Sequence, residues 1–205
     1  MPHLAERFPQ NPILAPQDIA PSLPDLNIEC LLNPGAFRFG HKTWLLLRVA
    51  ERPAQVPGKT IAPIFNPEGR IQLLDFDHDD PKLDRSDPRV YRYDGVDYLT
   101  TISHLRSVCS EDGIHFHEQD TIPPLIGEGP FESYGIEDCR VAQIGEDYYL
   151  TYTAVSASGV CVGLRSTRDW RHFTRHGLIF PPHNKDCAIF NETLNGVFFA
   201  LHRPS

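Results

Sequence analysis

Several of the features that usually identify a function are missing here, and each absence narrows the field. No Cys-x-x-Cys pair occurs, and the five cysteines, Cys30, Cys109, Cys139, Cys161 and Cys187, are odd in number and scattered. That pattern argues against a disulfide framework and a zinc site, and in favour of reduced packing residues. No run of about 18 apolar residues exists to cross a bilayer, and MPHLAERFPQ lacks the apolar centre of a secretory signal, so the expected location is cytoplasmic. Basic residues are outnumbered, 19 Lys and Arg against 27 Asp and Glu, for a net charge of -8. Nucleic acid and anionic membranes require a dense basic surface, so neither is an expected partner; a small, mostly uncharged molecule is. G-x-S-x-G, P-loop and dinucleotide fingerprints are all missing, which removes several common enzyme classes. There is also no apolar stripe of helical period longer than about a dozen residues.

What remains is a globular chain of 205 residues, 40% of them hydrophobic, enough for one domain or slightly more. Prolines at 2, 9, 12, 16, 21 and 24 fix φ and remove N–H donors, so residues 1–32 read as a wrapping lead-in to a domain over 33–205. From Asn33 onward, short β-branched and aromatic runs (TWLLLRV, VDYLTTI, DYYLTYTAV, VFFALH) each follow a turn cluster of Gly, Asn or Asp. The fold class is all-β.

Repetition refines that assignment. SDPRVYRYDGVDYLTTIS at 86–103 and EDCRVAQIGEDYYLTYTA at 137–154 match at a spacing of 51, with acid, Asp, Arg and Val in the same places. DGIHF at 112–116 and DWRHF at 169–173 share Asp-x-x-His-Phe, following Ser110 and Ser166, which suits a turn between outer strands. A weaker copy begins at KDCAIF, where Asp186 follows Asp138 by 48 residues, and a further one is NPGAFRFGHKTWLLLR, 33–48. A period of about 50 residues in several short strands is the mark of a β-propeller blade, whose first strand lines a central channel. Polar residues at strand starts then converge on one pocket, which gives Glu137, Asp138 and Arg140 a reason to be there. The sequence fills about three and a half such blades, whereas closed propellers have about four to eight. The chain is therefore expected to be a piece of a longer polypeptide, or else its edges are covered by the lead-in or by a second copy.

Asp138 and Asp87 are the leading carboxylates: an enclosed acid can serve as a proton donor, and an acid with an Arg two residues on can equally be a paired charge. Lys185, His202 and Arg203 cluster near a third strand start and its partner strand, where converging cations would hold an oxyanion or phosphate. The alternative pairs Lys185 with Asp186 or another acid and Arg203 with Glu192. Arg48 lies among apolar residues and needs a partner or a ligand. His115 and His117 can share a strand face but have no evident third metal ligand. The acidic run DFDHDDPKLD lacks the glycine and terminal glutamate of a calcium loop and reads as a solvated segment. Tyr134, Trp44, Tyr148 and Tyr152 suit either sugar stacking or a core.

NPGAFRF with LLLRVAER, then LTTISHLRSVCSEDGIHF, YGIEDCRVAQIGEDYYLTYTAVS, GLRSTRDW and HNKDCAIFNETLNGVFFALHRPS resemble, in order, glycoside hydrolase family 130, the β-mannoside phosphorylases and related β-mannosidases. The likeness runs from about residue 30 to the end. It implies a five-bladed propeller longer than this chain, here incomplete at about three to four blades. It also implies that Asp138 is the proton donor, acting through a sugar hydroxyl on the glycosidic oxygen while inorganic phosphate attacks the anomeric carbon from the opposite face. The product would be α-mannose 1-phosphate, formed with inversion. Phosphate carries its own charge and requires cations rather than a general base, so no other cofactor is expected; a β-mannosidase would need a carboxylate to activate water. Asn33 and Arg48 match sugar-contacting positions, and Asp87, His104, Arg106, Arg140 and Asp186 complete the implied sugar set. Lys185 and Arg203, joined by His202, form the implied phosphate set. HNKDC, SHLR and HRPS look most like the branch acting on β-1,2-linked mannosides. Two positions depart from the pattern: the motif's proline is Cys139, and a basic position is Lys185, which keeps the charge without the bidentate fork. Further ligands implied by the family would lie beyond Ser205, which leaves open an inactive piece or a carbohydrate-binding propeller. Association into a homo-oligomer is also left open.

Overall fold

The computed structural model describes residues 8–204. The part of the lead-in before Phe8, which includes most of the stretch MPHLAERFPQ, and Ser205 lie outside the described residues. The fold is built of strands: β1 (Leu26–Phe39), β2 (Lys42–Pro53), β3 (Lys59–Phe65), β4 (Ile71–Asp77), β5 (Leu83–Asp87), β6 (Val90–Tyr93), β7 (Val96–Leu99), β8 (Ile102–Ser110) and β9 (His117–Glu118) form its first half. The second half contains β10 (Gly135–Ile144), β11 (Asp147–Ser156), β12 (Gly159–Thr167), β13 (Thr174–Phe180), β14 (Asn184–Leu194) and β15 (Val197–Pro204).

Two antiparallel blades emerge, β1-β2-β8-β9 and β10-β11-β12-β13, followed by the leading hairpin of another, β14-β15. The first two touch edgewise through one parallel pair, Gly135 opposite Ser103. Strand β1 begins at Leu26, so the last residues of the segment read as lead-in already belong to the first blade.

Consecutive apolar residues in TWLLLRV follow from β2 being covered on both faces. Trp44 and Leu46 enter a core between the two blades that also holds Phe37, Leu105, Ile136, Leu150, Tyr152 and Trp170. Leu47 and Val49 point the other way, onto Val108 and onto Ile19 of the lead-in. Residues such as Leu46 and Val49, at 0% exposure, each contribute roughly 1.5–3 kcal/mol by burial. Phe37 stacks on Trp170 with ring centroids 3.7 Å apart, joining the first strand of one blade to the last turn of the next. The residues considered for sugar stacking, Trp44, Tyr134, Tyr148 and Tyr152, are all buried, at 3%, 6%, 7% and 2% exposure; they are core aromatics. Cys139 is likewise in the inter-blade core, and burial pushes its thiol up to about 12.

The match at a spacing of 51 does not correspond to two blades. Residues 83–99 form a separate three-stranded meander, β5-β6-β7, inserted with the hairpin β3-β4 between the second and third strands of the first blade. The length expected to make a further blade is taken by this insert. The weaker signals mark the true repeat. Asp112 and Asp169 each accept backbone N–H groups two and three residues on and pair with His115 and His172, closing the same turn after the third strand of each blade.

Candidate active site at the blade starts

Strand alternation would send Glu137 and Asp138 to opposite faces of β10. The pairing with β11 slips between Glu137 and Arg140, and Asp138 adopts a left-handed backbone with φ 50°. This bulge turns both carboxylates toward β2, where alternation has placed Arg48 on the face of Trp44 and Leu46. The guanidinium donates from Nη1 to Asp138 Oδ1 at 3.1 Å, from Nη2 to Glu137 Oε1 at 2.7 Å and from Nε to Ser103 Oγ at 3.1 Å. Arg48 thus has the partner its apolar setting requires. Asn33 Nδ2 donates to the same Asp138 Oδ1 at 3.1 Å, and Asp138 is 7% exposed.

Asn33 and Asp186 repeat the device. Each has a left-handed backbone, with φ 36° and 52°, at a slip in the register of β1 and β14. Asn and Asp accept that conformation more readily than other side chains. Close approach of the strands depends on glycine: a Cβ on Gly35 would lie 3.0 Å from the Cys139 carbonyl, and one on Gly135 would collide with the backbone of Ser103. Arg140 donates from Nη1 to the carbonyls of Cys139 at 2.8 Å and Asn33 at 3.3 Å, bracing two of the bulges from outside.

The β14-β15 hairpin carries Lys185, His202 and Arg203. Lys185 pairs in register with Arg203, and Arg203 Nη2 lies 2.7 Å from Asp186 Oδ2. Glu192 is therefore not the acid that holds Arg203. The Asp186 N–H donates to Thr153 Oγ1 at 3.3 Å, tying the hairpin to β11. His202 stacks on Phe180 at 4.3 Å and bonds Asn184 through Nδ1 at 2.9 Å. Lys185 is near enough to Glu137 to draw its carboxyl down; burial nonetheless dominates and holds that carboxyl above the usual range.

Three implied sugar ligands lie elsewhere. His104 is 2% exposed, bonded to Glu51 Oε2 at 3.0 Å and to Ser22 Oγ at 3.2 Å. Arg106 bonds the Ala20 carbonyl and Glu118. Both share the parity of Val108 on β8, the face covered by the lead-in, while Ser103 and Leu105 face the neighbouring blade. His104 and Arg106 therefore hold the lead-in. Asp87 sits on β5 with its side chain 42% exposed, held by the Arg89 N–H at 2.8 Å and guanidinium at 3.2 Å. The structure pairs it with its neighbour and does not bring it to Arg48. In place of these, Ser103 joins the site, and Glu137, already expected to face the shared pocket, binds the same guanidinium as Asp138. That shared bond was not legible, because adjacent strand residues ordinarily diverge; nothing in the sequence singles out Ser103. The acidic run pairs Asp75 and Asp77 with Lys59 at 3.3 and 2.6 Å, on the surface.

The family model for glycoside hydrolase family 130, described as β-1,4-mannooligosaccharide phosphorylase, matches residues 89–205. A β-1,2-mannobiose phosphorylase from Listeria innocua is 38% identical over 97% of this chain and 58% of its own length. One from Thermoanaerobacter is 33% identical over 50% of this chain and 34% of its own. The Listeria innocua enzyme in complex with β-1,2-mannobiose superposes with a TM-score of 0.87, again covering 97% of this chain and 58% of that one. A family structure of hydrolases that target β-1,2 mannosidic linkages in Candida mannan, 16% identical, superposes with a TM-score of 0.61 over 98% and 54%, and shares the fold. The chain spans about 58% of the length of the Listeria relative, and its all-β architecture is an incomplete five-bladed propeller. With the motif, the order of the blades and the match over residues 89–205 in agreement, the chain belongs to glycoside hydrolase family 130.

Proposed function

We propose that this chain carries the acid side of an inverting phosphorylase for β-mannosides, with β-1,2-linked manno-oligosaccharides as substrate and α-mannose 1-phosphate as product. The observation that carries the proposal is the enclosed carboxyl of Asp138, fixed by Arg48 and Asn33 from another blade, with Lys185 and Arg203 on the next hairpin. Asp138 gives its proton, through a sugar hydroxyl, to the glycosidic oxygen. As the C–O bond breaks, a phosphate oxygen bonds to the anomeric carbon from the other face. Asn33 and Arg48 fix the acid, and Lys185 and Arg203 are assigned to phosphate, Arg203 exchanging part of its bond to Asp186 for the incoming anion. Phosphate is co-substrate, and no resident cofactor is assigned. A charged sugar phosphate is retained inside a cell, which favours a cytoplasmic setting.

The test is incubation of the purified protein with β-1,2-mannobiose, with and without inorganic phosphate, followed by ³¹P NMR. Mannose 1-phosphate formed only when phosphate is present is the expected result. Equal mannose release without phosphate would replace this assignment with a β-mannosidase. Sugar binding without turnover would leave a carbohydrate-binding propeller. Replacing the substrate with β-1,4-mannobiose checks the linkage.

A further inference from the structure

Two carboxylates on consecutive residues share one guanidinium, and the proposed reaction uses only one of them. The side chains of Arg48, Glu137 and Asp138 are 18%, 13% and 8% exposed, so little water is present to screen two anions against one cation. Among the described residues around the pair, most neighbours carry no countercharge. Ser103 on β8, Asn33 on β1 and Thr153 on β11 are neutral, and Arg140 on the same strand is turned onto backbone carbonyls. Lys185 on β14 is the other cation acting on Glu137. A proton donor held by arginine alone would be stabilised as its anion and would be a poor acid.

We propose that Glu137 is a positioning residue for the acid: it orients Arg48 and, by sharing the guanidinium, keeps a negative charge beside Asp138 so that the transferable proton is retained to higher pH. This rests on the reading of Asp138 as proton donor. Two neighbouring carboxylates disfavour each other's ionised form, and the bulge at 137–140 is the device that makes residues adjacent in sequence neighbours on one cation. With burial the larger cause, the Asp138 charge also raises the Glu137 carboxyl, and this is the coupling between the two groups that the proposal requires.

The test is Glu137→Gln, which preserves shape and an acceptor for Arg48 while removing the charge. The alkaline limb of kcat/KM should move to lower pH by about one unit, with kcat on the acid side reduced less than about tenfold. Glu137→Asp should return the limb toward its original position. A uniform loss at all pH values with an unmoved limb would assign Glu137 a purely structural role and overturn the proposal. A second measurement needs no turnover: ¹³C titration of the Glu137 carboxyl in the parent protein and in Asp138→Asn. The midpoint should fall when the neighbouring charge is removed, and an unchanged midpoint would overturn the coupling. A parent protein with no turnover would count against the proposed reaction, and the NMR comparison would still decide the pair.

Discussion

The meander that carries Asp87 and the hairpin that carries Asp138 have nearly the same local code and opposite fates. Both place Arg two residues after Asp, both lead into paired strands, and both turn on a left-handed glycine, Gly95 with φ 84° and Gly145 with φ 63°. In the meander, Arg89 folds back on Asp87, and the pair stays in water. In the blade, Arg140 turns to carbonyl groups, and Asp138 is taken by an arginine 90 positions away. Turn residues and alternation set the hairpin; what packs on it decides whether its carboxylate stays with its neighbour in water or is enclosed by another blade. The pairing of the Asp with its own Arg thus holds for one copy and is replaced in the other by an arginine from another blade.

The widest separation should appear in catalysis. Asp138→Asn is expected to lower phosphorolysis by about 10²–10⁴-fold while sugar binding persists, the usual range for loss of a positioned acid. Asp87→Asn should leave the rate within about twofold, because an exposed pair has little leverage. Steady-state rates on β-1,2-mannobiose with phosphate, measured beside a binding isotherm for each variant, make the comparison. Comparable losses from both substitutions would bring the meander into the site.

Stability should separate the same regions. Beneath the loop that leads into β10, Glu132 accepts from Arg165 at 2.9 Å, Arg175 at 2.9 Å and Tyr152 at 2.8 Å, and its side chain is 3% exposed. Glu132→Ala removes the buried partner of both arginines, leaving them the half-exposed Glu128 at 3.3 and 3.6 Å, and should cost about 3–5 kcal/mol in urea unfolding. On the meander, Arg92 and Asp97 form an equally short pair, 2.6 Å, with side chains 60% and 48% exposed. Asp97→Ala should cost less than about 1 kcal/mol. Similar distances with different burial make the pair a direct test of desolvation.

How far the sequence reached follows the same division. The all-β class, the Asp-x-x-His-Phe turns and the copies beginning near Asn33, Asp138 and Asp186 were legible because they rest on short-range geometry: turn chemistry, alternation and a residue type that tolerates a left-handed backbone. The strongest apparent repeat, 86–103, misled because an exposed meander obeys the same rules. His104 and Arg106 were misplaced for lack of one bit of information, which face of β8 the lead-in covers. Glu137 was expected at the pocket, but its bond to Arg48 was not, because that orientation depends on a bulge that has no signature in composition.

A finer comparison is available at two left-handed glycines. A methyl group on Gly95, φ 84°, meets nothing within 4 Å, so Gly95→Ala should cost only the backbone strain of about 1–2 kcal/mol. Gly135→Ala, φ 111°, adds a clash with Ser103, whose hydroxyl accepts from Arg48. Its loss of turnover should exceed what its loss of stability explains, as seen by assaying both variants well below their unfolding temperatures.

The smallest difference should lie between the two Asp-x-x-His-Phe turns themselves. The His115 ring and backbone bonds hold the Asp112 carboxyl well below the usual range; backbone N–H groups of His172 and then its ring do the same for Asp169. A carboxylate with a lowered folded-state pKa adds stability above its unfolded value, and that stability is lost as pH falls through the folded one. Asp112→Asn and Asp169→Asn should therefore each lower the urea midpoint slightly near pH 7, with the deficit shrinking progressively below about pH 4. Trp170 makes the turns unequal: its backbone N–H donates to Thr167 Oγ1 at 2.9 Å, and its ring is buried against Phe37. Loosening the 169 turn disturbs the inter-blade core, whereas the 112 turn closes over Gly113 at the surface. Asp169→Asn should accordingly show the larger deficit, and equal deficits would mean that the turn and the core beneath it are energetically independent.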